Sequence, residues 1–211
     1  NGGEHLYKII LIGNMNVGKT CLLSQFVNNS LPKNTTPTIG IEFATKVVKL
    51  RNNQSIKAQI WDTAGQERYK AICGAHYKRA LGALIVYDVT VRETFDQVEQ
   101  WIENLMSKAE PDIQVVLVGN KIDKVRQNPS CREVEKAEAM QLAEKNNFQF
   151  IETSAFAQEN VSTAFEQLLD AVSQVREHKQ KQFGQTDIMK SNQCLRLHDP
   201  ELEDKEKGCC S

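Results

Sequence analysis

Apolar runs and helical stripes alternate along the first 175 residues. Tyr7–Ile12 is a short, largely apolar run closed by a glycine, the pattern of a buried strand. Cys21, Leu22, Leu23, Phe26 and Val27 then follow at helical spacing. Ile41–Leu50 and Ile56–Asp62 predict a strand pair, with the polar Arg51-Asn52-Asn53-Gln54 as its turn. Leu81–Asp88 and Gln114–Asn120 are continuous apolar runs of the kind buried on both faces of a parallel sheet. Between them Phe95, Val98, Ile102, Leu105 and Met106 form a helical stripe. A last short strand is expected at Phe148–Glu152, followed by a helix carrying Val161, Ala164, Phe165, Leu168, Val172 and Val175. Strand and helix in alternation predict an α/β fold, a mainly parallel sheet with helices on both faces. Ligands in such folds bind at the carboxyl edges of the strands, and the polar motifs of this chain fall at those edges.

Composition narrows the possibilities. With 211 residues the chain suits one domain and an appendage. A net charge of −1 supplies no basic face for nucleic acid. No run of 18 apolar residues and no signal-peptide pattern is present, so neither a membrane span nor secretion is expected. Cys21, Cys73, Cys131 and Cys194 are scattered singly, while Cys209 and Cys210 are adjacent near the end, which suits neither a metal site nor a disulfide framework. From Arg176 onward only 9 of 36 residues are hydrophobic and seven Lys/Arg face seven Asp/Glu, so residues 176–211 are expected to form a largely disordered tether.

Four motifs carry chemistry. Gly13-Asn14-Met15-Asn16-Val17-Gly18-Lys19-Thr20 fits G-x-x-x-x-G-K-[ST] and lies between a predicted strand and a predicted helix. Its backbone N–H groups can wrap phosphates, Lys19 adds a full charge, and the Thr20 hydroxyl can ligate Mg²⁺. Trp61-Asp62-Thr63-Ala64-Gly65-Gln66-Glu67 ends another strand. There Asp62 is placed to hold Mg²⁺ through water, Gly65 to offer its N–H to a terminal phosphate, and Gln66 to orient an attacking water. Taken alone, this second motif is also an ordinary strand-end turn. Asn120-Lys121-Ile122-Asp123 follows the run Val115–Gly119. The Asp123 carboxylate can accept from the N1–H and exocyclic amine of guanine, a donor pair that adenine lacks. Glu152-Thr153-Ser154-Ala155 ends the last strand and would turn backbone N–H groups toward the guanine carbonyl.

On these motifs, residues 7 to about 175 resemble a small GTPase of the Ras superfamily. Thr38-Ile39-Gly40-Ile41-Glu42-Phe43, the Trp61–Tyr69 stretch and the paired terminal cysteines resemble the Rab branch. Ile41–Lys46 with Ile56–Trp61 is most similar to the Rab proteins of recycling endosomes. The resemblance implies a phosphate-loop NTPase fold with six strands, and GTP/GDP and Mg²⁺ as ligands. It implies nucleotide contacts from Asn16, Val17, Gly18, Lys19, Thr20, Cys21, Thr38, Gly65, Asn120, Lys121, Asp123, Ser154, Ala155 and Phe156. Metal ligation would fall to Thr20, Thr38 and Asp62, and hydrolysis to Gln66. Phe43, Trp61 and Tyr77 would face effectors, although each also suits ordinary packing.

Three positions depart from the family pattern. Phe156 replaces a lysine whose stem covers the guanine, Leu31 replaces an aromatic on its other side, and Met15 stands where Ras has glycine. A scaffold that binds nucleotide but scarcely hydrolyses it is the alternative that these departures keep open. The resemblance further implies an exchange factor, an activating protein, a GDP-dissociation inhibitor, prenylation machinery and GTP-state effectors as partners of a monomer. The ending Gly208-Cys209-Cys210-Ser211 is not a C-a-a-X box but resembles Rab tails that carry a geranylgeranyl group on each cysteine. Cycling between cytosol and the cytoplasmic side of endosomal or secretory membranes is the location so implied.

Overall fold

Six strands form one sheet in the order β2-β3-β1-β4-β5-β6. The computed structural model describes residues 5–32, 41–63 and 77–195, with 182–195 as helical backbone. The strands are β1 (His5–Ile12), β2 (Ile41–Lys49), β3 (Ser55–Thr63), β4 (Gly82–Asp88), β5 (Gln114–Asn120) and β6 (Gln149–Thr153). Every pairing is parallel except β2 with β3, which the tight Arg51–Gln54 turn makes an antiparallel hairpin. Parallel strands need long crossovers, and helices supply them. Among the described residues these are α1 (Lys19–Asn28), α2 (Arg92–Asp96), α3 (Val98–Met106), α4 (Ile122–Gln127), α5 (Lys136–Lys145) and α6 (Val161–Leu195). A 3₁₀ turn spans Pro129–Cys131.

Burial explains the sequence pattern. β4 is buried at all seven positions, because apolar layers cover the sheet on both sides. On one side Ile9, Leu11, Leu84 and Val118 meet Phe26 of α1 and Phe165 of α6, whose rings stack at 4.1 Å. On the other, Ile10, Ile12, Ile85 and Leu117 meet Phe95 of α2 and Trp101, Ile102 and Leu105 of α3. The helix α5 has no strong stripe, which is why the apolar pattern does not announce it. Its buried positions are two alanines, Ala139 and Ala143.

The expected tether boundary at Arg176 lies inside α6. Residues 176–195 are helical where composition predicts irregular chain. Their Lys, Gln and Glu content favours helix locally even without an apolar face. The chain divides into two units, Asn1–Ser173 and Gln174–Ser211. No helix of the described residues is long and apolar enough to cross a membrane.

The fold sets up one edge for chemistry. From β1 the chain proceeds through β2 to β3 on one side and later to β4 on the other. The carboxyl end of β1 is therefore the switch point where an open α/β sheet leaves a crevice. Gly13 is the first residue beyond it. Its φ of +136° and its closeness to β4, where a Cβ would stand 2.1 Å from the Val86 carbonyl oxygen, require glycine.

Candidate functional site

The loop from Gly13 to Gly18 leads directly from β1 into α1. Gly18 opens the helix with φ +99°, and no side chain caps α1 and no acidic residue sits in its first turn. The first N–H groups of a helix have no partner within the helix and carry partial positive charge. A helix start of this kind suits an anion. Asn16 takes the left-handed conformation at φ +63°, which asparagine tolerates better than most residues. Lys19 is only 5% exposed, and its ammonium donates to the carbonyl oxygens of Gly13 at 2.9 Å and Asn14 at 2.7 Å. That arrangement folds the lysine over its own loop and aims one positive charge at the cradle.

Asp62 near the end of β3 lies beside Thr20, whose hydroxyl donates to Oδ2 at 2.5 Å. The carboxylate is fully buried, and its Oδ1 has no hydrogen-bond partner among the described residues. Burial pushes the carboxyl up to about 6, against the opposing pull of the Thr20 hydroxyl and the Lys19 ammonium. A buried carboxylate with spare lone pairs beside a hydroxyl suits a hard divalent cation, which would neutralise it. No group of three His, Cys, Asp or Glu among the described residues could hold a metal alone. The Thr20–Asp62 pair fits Mg²⁺ only if phosphate and water complete the shell, as that small, strongly hydrated ion prefers.

At the end of β5, Asn120 ties three segments together. Its Nδ2 donates to the Val17 carbonyl at 2.8 Å. Its Oδ1 accepts from the Thr153 hydroxyl at 3.1 Å and the Ala155 N–H at 3.2 Å. Lys121, left-handed at φ +73°, donates to the Asn16 carbonyl at 2.5 Å and pairs with Asp88 at 2.7 Å. The Ser154 hydroxyl donates to Asp123 Oδ1 at 2.6 Å and accepts from the Ala157 N–H at 2.9 Å, which orients the carboxylate. The phosphate loop, the β5 end and the β6 end thus form one hydrogen-bonded unit.

The remaining predicted residues are placed as follows. Cys21 is half-buried in α1, and burial pushes its thiol up, away from thiolate character. Phe156 is 68% exposed beyond β6 and Leu31 is 37% exposed after α1. Phe43 on the edge strand β2 is 59% exposed and stacks on half-buried Trp61 at 5.3 Å. Tyr77 is buried at 2% with the Lys108 ammonium over its ring. Thr38, Gly65, Gln66, Cys209 and Cys210 lie outside the described residues.

Sequence reading missed two participants. Asp88 closes the apolar run of β4 and fixes Lys121; a buried charge ending a continuous apolar strand was its available signal. Asn14 joins the loop to α3 through Trp101, a partner 87 residues away that no local pattern points to.

Comparison with known proteins gives the family. The model of the Ras family matches residues 8–174. The chain is 43% identical over 209 residues to the Ras-related protein Rab-11A of Dictyostelium discoideum, covering 98% of this chain and 95% of that protein. It is 41% identical over 211 residues to the Ras-related protein RABA2a of Arabidopsis thaliana, covering 99% and 95%.

Proposed function

The chain belongs to the Rab family of Ras-superfamily GTPases, and from that premise we propose that it is a GTP-hydrolysing switch of vesicle traffic. The observation that carries this reading is the Asn120 junction. One buried side chain bonds Val17 of the phosphate loop and Ala155 of the base-side loop, so phosphate and base recognition share one rigid frame. GTP would lie along that frame with its phosphates over the α1 N-terminus and its guanine against Asp123. Thr20, Asp62 and Thr38 would hold Mg²⁺, which supplies charge neutralisation at the phosphates.

Hydrolysis needs little covalent help from the protein; it needs an oriented water and a stabilised charge. Gln66 has both a donor and an acceptor with which to orient that water. In the GTP state the γ-phosphate would hold Thr38 and Gly65, and its departure would release the segments that carry them. No arginine in the chain is assigned to the transition-state charge, so an activating protein would supply one, typically worth on the order of 10³–10⁵ in rate. An exchange factor would then release GDP. Effectors would read Phe43 and Trp61, whereas Tyr77, only 2% exposed, offers them no surface, and a GDP-dissociation inhibitor would lift the lipidated form from membranes.

Chromatography of nucleotide released from the purified protein tests the central reading. GDP or GTP near one equivalent is expected; neither, with no uptake on addition, would sink it. Gln66→Leu should then slow single-turnover hydrolysis by at least tenfold with the activating protein present. An unchanged rate removes Gln66 from the chemistry.

The tail completes the switch as a membrane visitor. One lipid chain anchors only marginally, and the balanced charge of residues 176–211 forms no polybasic patch to assist it. Two prenyl groups, on Cys209 and Cys210, would meet that need. Cys209→Ser should shift most of the protein from the membrane to the soluble fraction, and full retention on membranes refutes the two-chain account. The recycling endosome is the compartment that the Ile41–Lys46 and Ile56–Trp61 stretches favour.

A further inference from the structure

The side chain of Asn14, in the phosphate loop, is hydrogen-bonded to α3. The Trp101 indole N–H donates to Asn14 Oδ1 at 2.7 Å. Asn14 Nδ2 donates to Gln97 Oε1 at 3.0 Å, and Gln97 Nε2 donates to Glu93 Oε1 at 3.3 Å. Indole is a donor only, so the orientation of the whole chain of amides follows from the tryptophan. Donation runs one way, from a buried ring to an exposed carboxylate, so each bond polarises the next.

Trp101 is 6% exposed within the core layer of Phe95, Ile102 and Leu105. Gln97 is the joint between α2 and α3, and its backbone carbonyl accepts from the Trp101 backbone N–H at 3.2 Å. On the loop side, the Asn14 carbonyl accepts from the Lys19 ammonium at 2.7 Å. Asn14 therefore connects a fixed helix to the backbone on which Lys19 rests, one residue before Met15.

We infer that Trp101 and Gln97 are positioning residues for the nucleotide phosphates, acting through the Asn14 side chain to hold the phosphate loop and Lys19 at their working height. The inference rests on the GTPase reading above and deepens it. It assigns α3, an element with no predicted nucleotide contact, a role in how long GDP stays bound. The base is read by Asp123, which the Ser154 hydroxyl orients, so a ligand without phosphates reports on that half by itself.

Full-length protein loaded with N-methylanthraniloyl-GDP is chased with excess GDP, and release is followed by fluorescence. Trp101→Phe keeps an aromatic ring in the core but deletes the N–H together with part of the indole's volume, a packing loss that Asn14→Ala does not share. It should speed release about five- to tenfold, the worth of one hydrogen bond to a partly buried group. Asn14→Ala should speed release at least as much, and the double variant no more than Asn14→Ala alone, because both remove one linkage. Asn14→Asp keeps an acceptor for the indole and should restore slower release relative to Asn14→Ala. Competition by guanosine, which lacks phosphates, should be unchanged in all of them.

Wild-type release rates in both Trp101→Phe and Asn14→Ala overturn the inference. So does a guanosine affinity that falls by the same factor, which would mean general loosening. If Trp101→Phe fails to fold, Asn14→Ala with its aspartate rescue decides alone. A wild-type protein that holds no guanine nucleotide overturns the GTPase reading and this inference together, whereas nucleotide-loaded wild type with unaffected variants overturns only this one.

Discussion

Asp123→Asn should convert a guanosine-nucleotide protein into one that prefers xanthosine nucleotides, with GDP affinity falling on the order of 10⁴-fold. The reason is donor and acceptor matching. Guanine offers two donors, N1–H and the exocyclic amine, to the two oxygens of a carboxylate. Xanthine keeps N1–H but replaces the amine with a carbonyl. An asparagine amide accepts from N1–H and donates to that carbonyl, whereas against guanine its NH₂ meets another NH₂. A buried, mismatched polar pair is what makes such discrimination steep. The structure adds a condition: the Ser154 hydroxyl donates to Asp123 Oδ1 at 2.6 Å, and the same oxygen on asparagine can accept that bond, so the side chain should keep its orientation. Competition of GDP and XDP against a fluorescent nucleotide checks the outcome. An unchanged preference ratio would remove Asp123 from base recognition.

Asn120→Ala should lose both nucleotides together. Asn120 is 1% exposed, and its amide makes bonds to the Val17 carbonyl, the Thr153 hydroxyl and the Ala155 N–H. Truncation leaves those groups buried without their partner, at about 1–3 kcal/mol each where no water reaches them. Two such losses, about 2–6 kcal/mol together, correspond to nucleotide release about 30 to 10⁴ times faster. The phosphate loop also rests against this side chain: a Cβ on Gly18 would stand 2.4 Å from Asn120 Nδ2. Release rates of labelled GDP from the wild type and from Asn120→Ala measure the effect. Its signature differs from that of Asp123→Asn, since XDP gains nothing. If GDP release stays within twofold of wild type, the junction does not couple the two halves of the site.

Much of the fold was readable because it obeys short-range rules. The buried strand β5 matches the predicted Gln114–Asn120 run residue for residue, since a strand covered on both faces must be apolar throughout. The hairpin of β2 and β3 follows from a polar turn between two β-rich runs. Where burial demands little, the pattern is silent: α5 packs on two alanines and 176–195 is helical without an apolar stripe. Exposure of single aromatics was not readable either. Phe43 and Tyr77 are alike in sequence terms, yet one is 59% exposed and the other 2%.

Legible along the chain are the alternation that makes an α/β sheet, the order of four motifs at its strand ends, and the residue types able to meet phosphate, Mg²⁺ and guanine. Those are local properties, since a turn, a helix start or a donor pair is specified within about ten residues. Which of these groups meet is set by the packing of the layers. Asn120 reaches Val17 across 103 positions, Trp101 reaches Asn14 across 87, and Asp62 is buried beside Thr20 across 42. Partner choice at such separations depends on the crossing of packed layers, and a polar side chain that suits many partners carries no pattern that tells which one it takes.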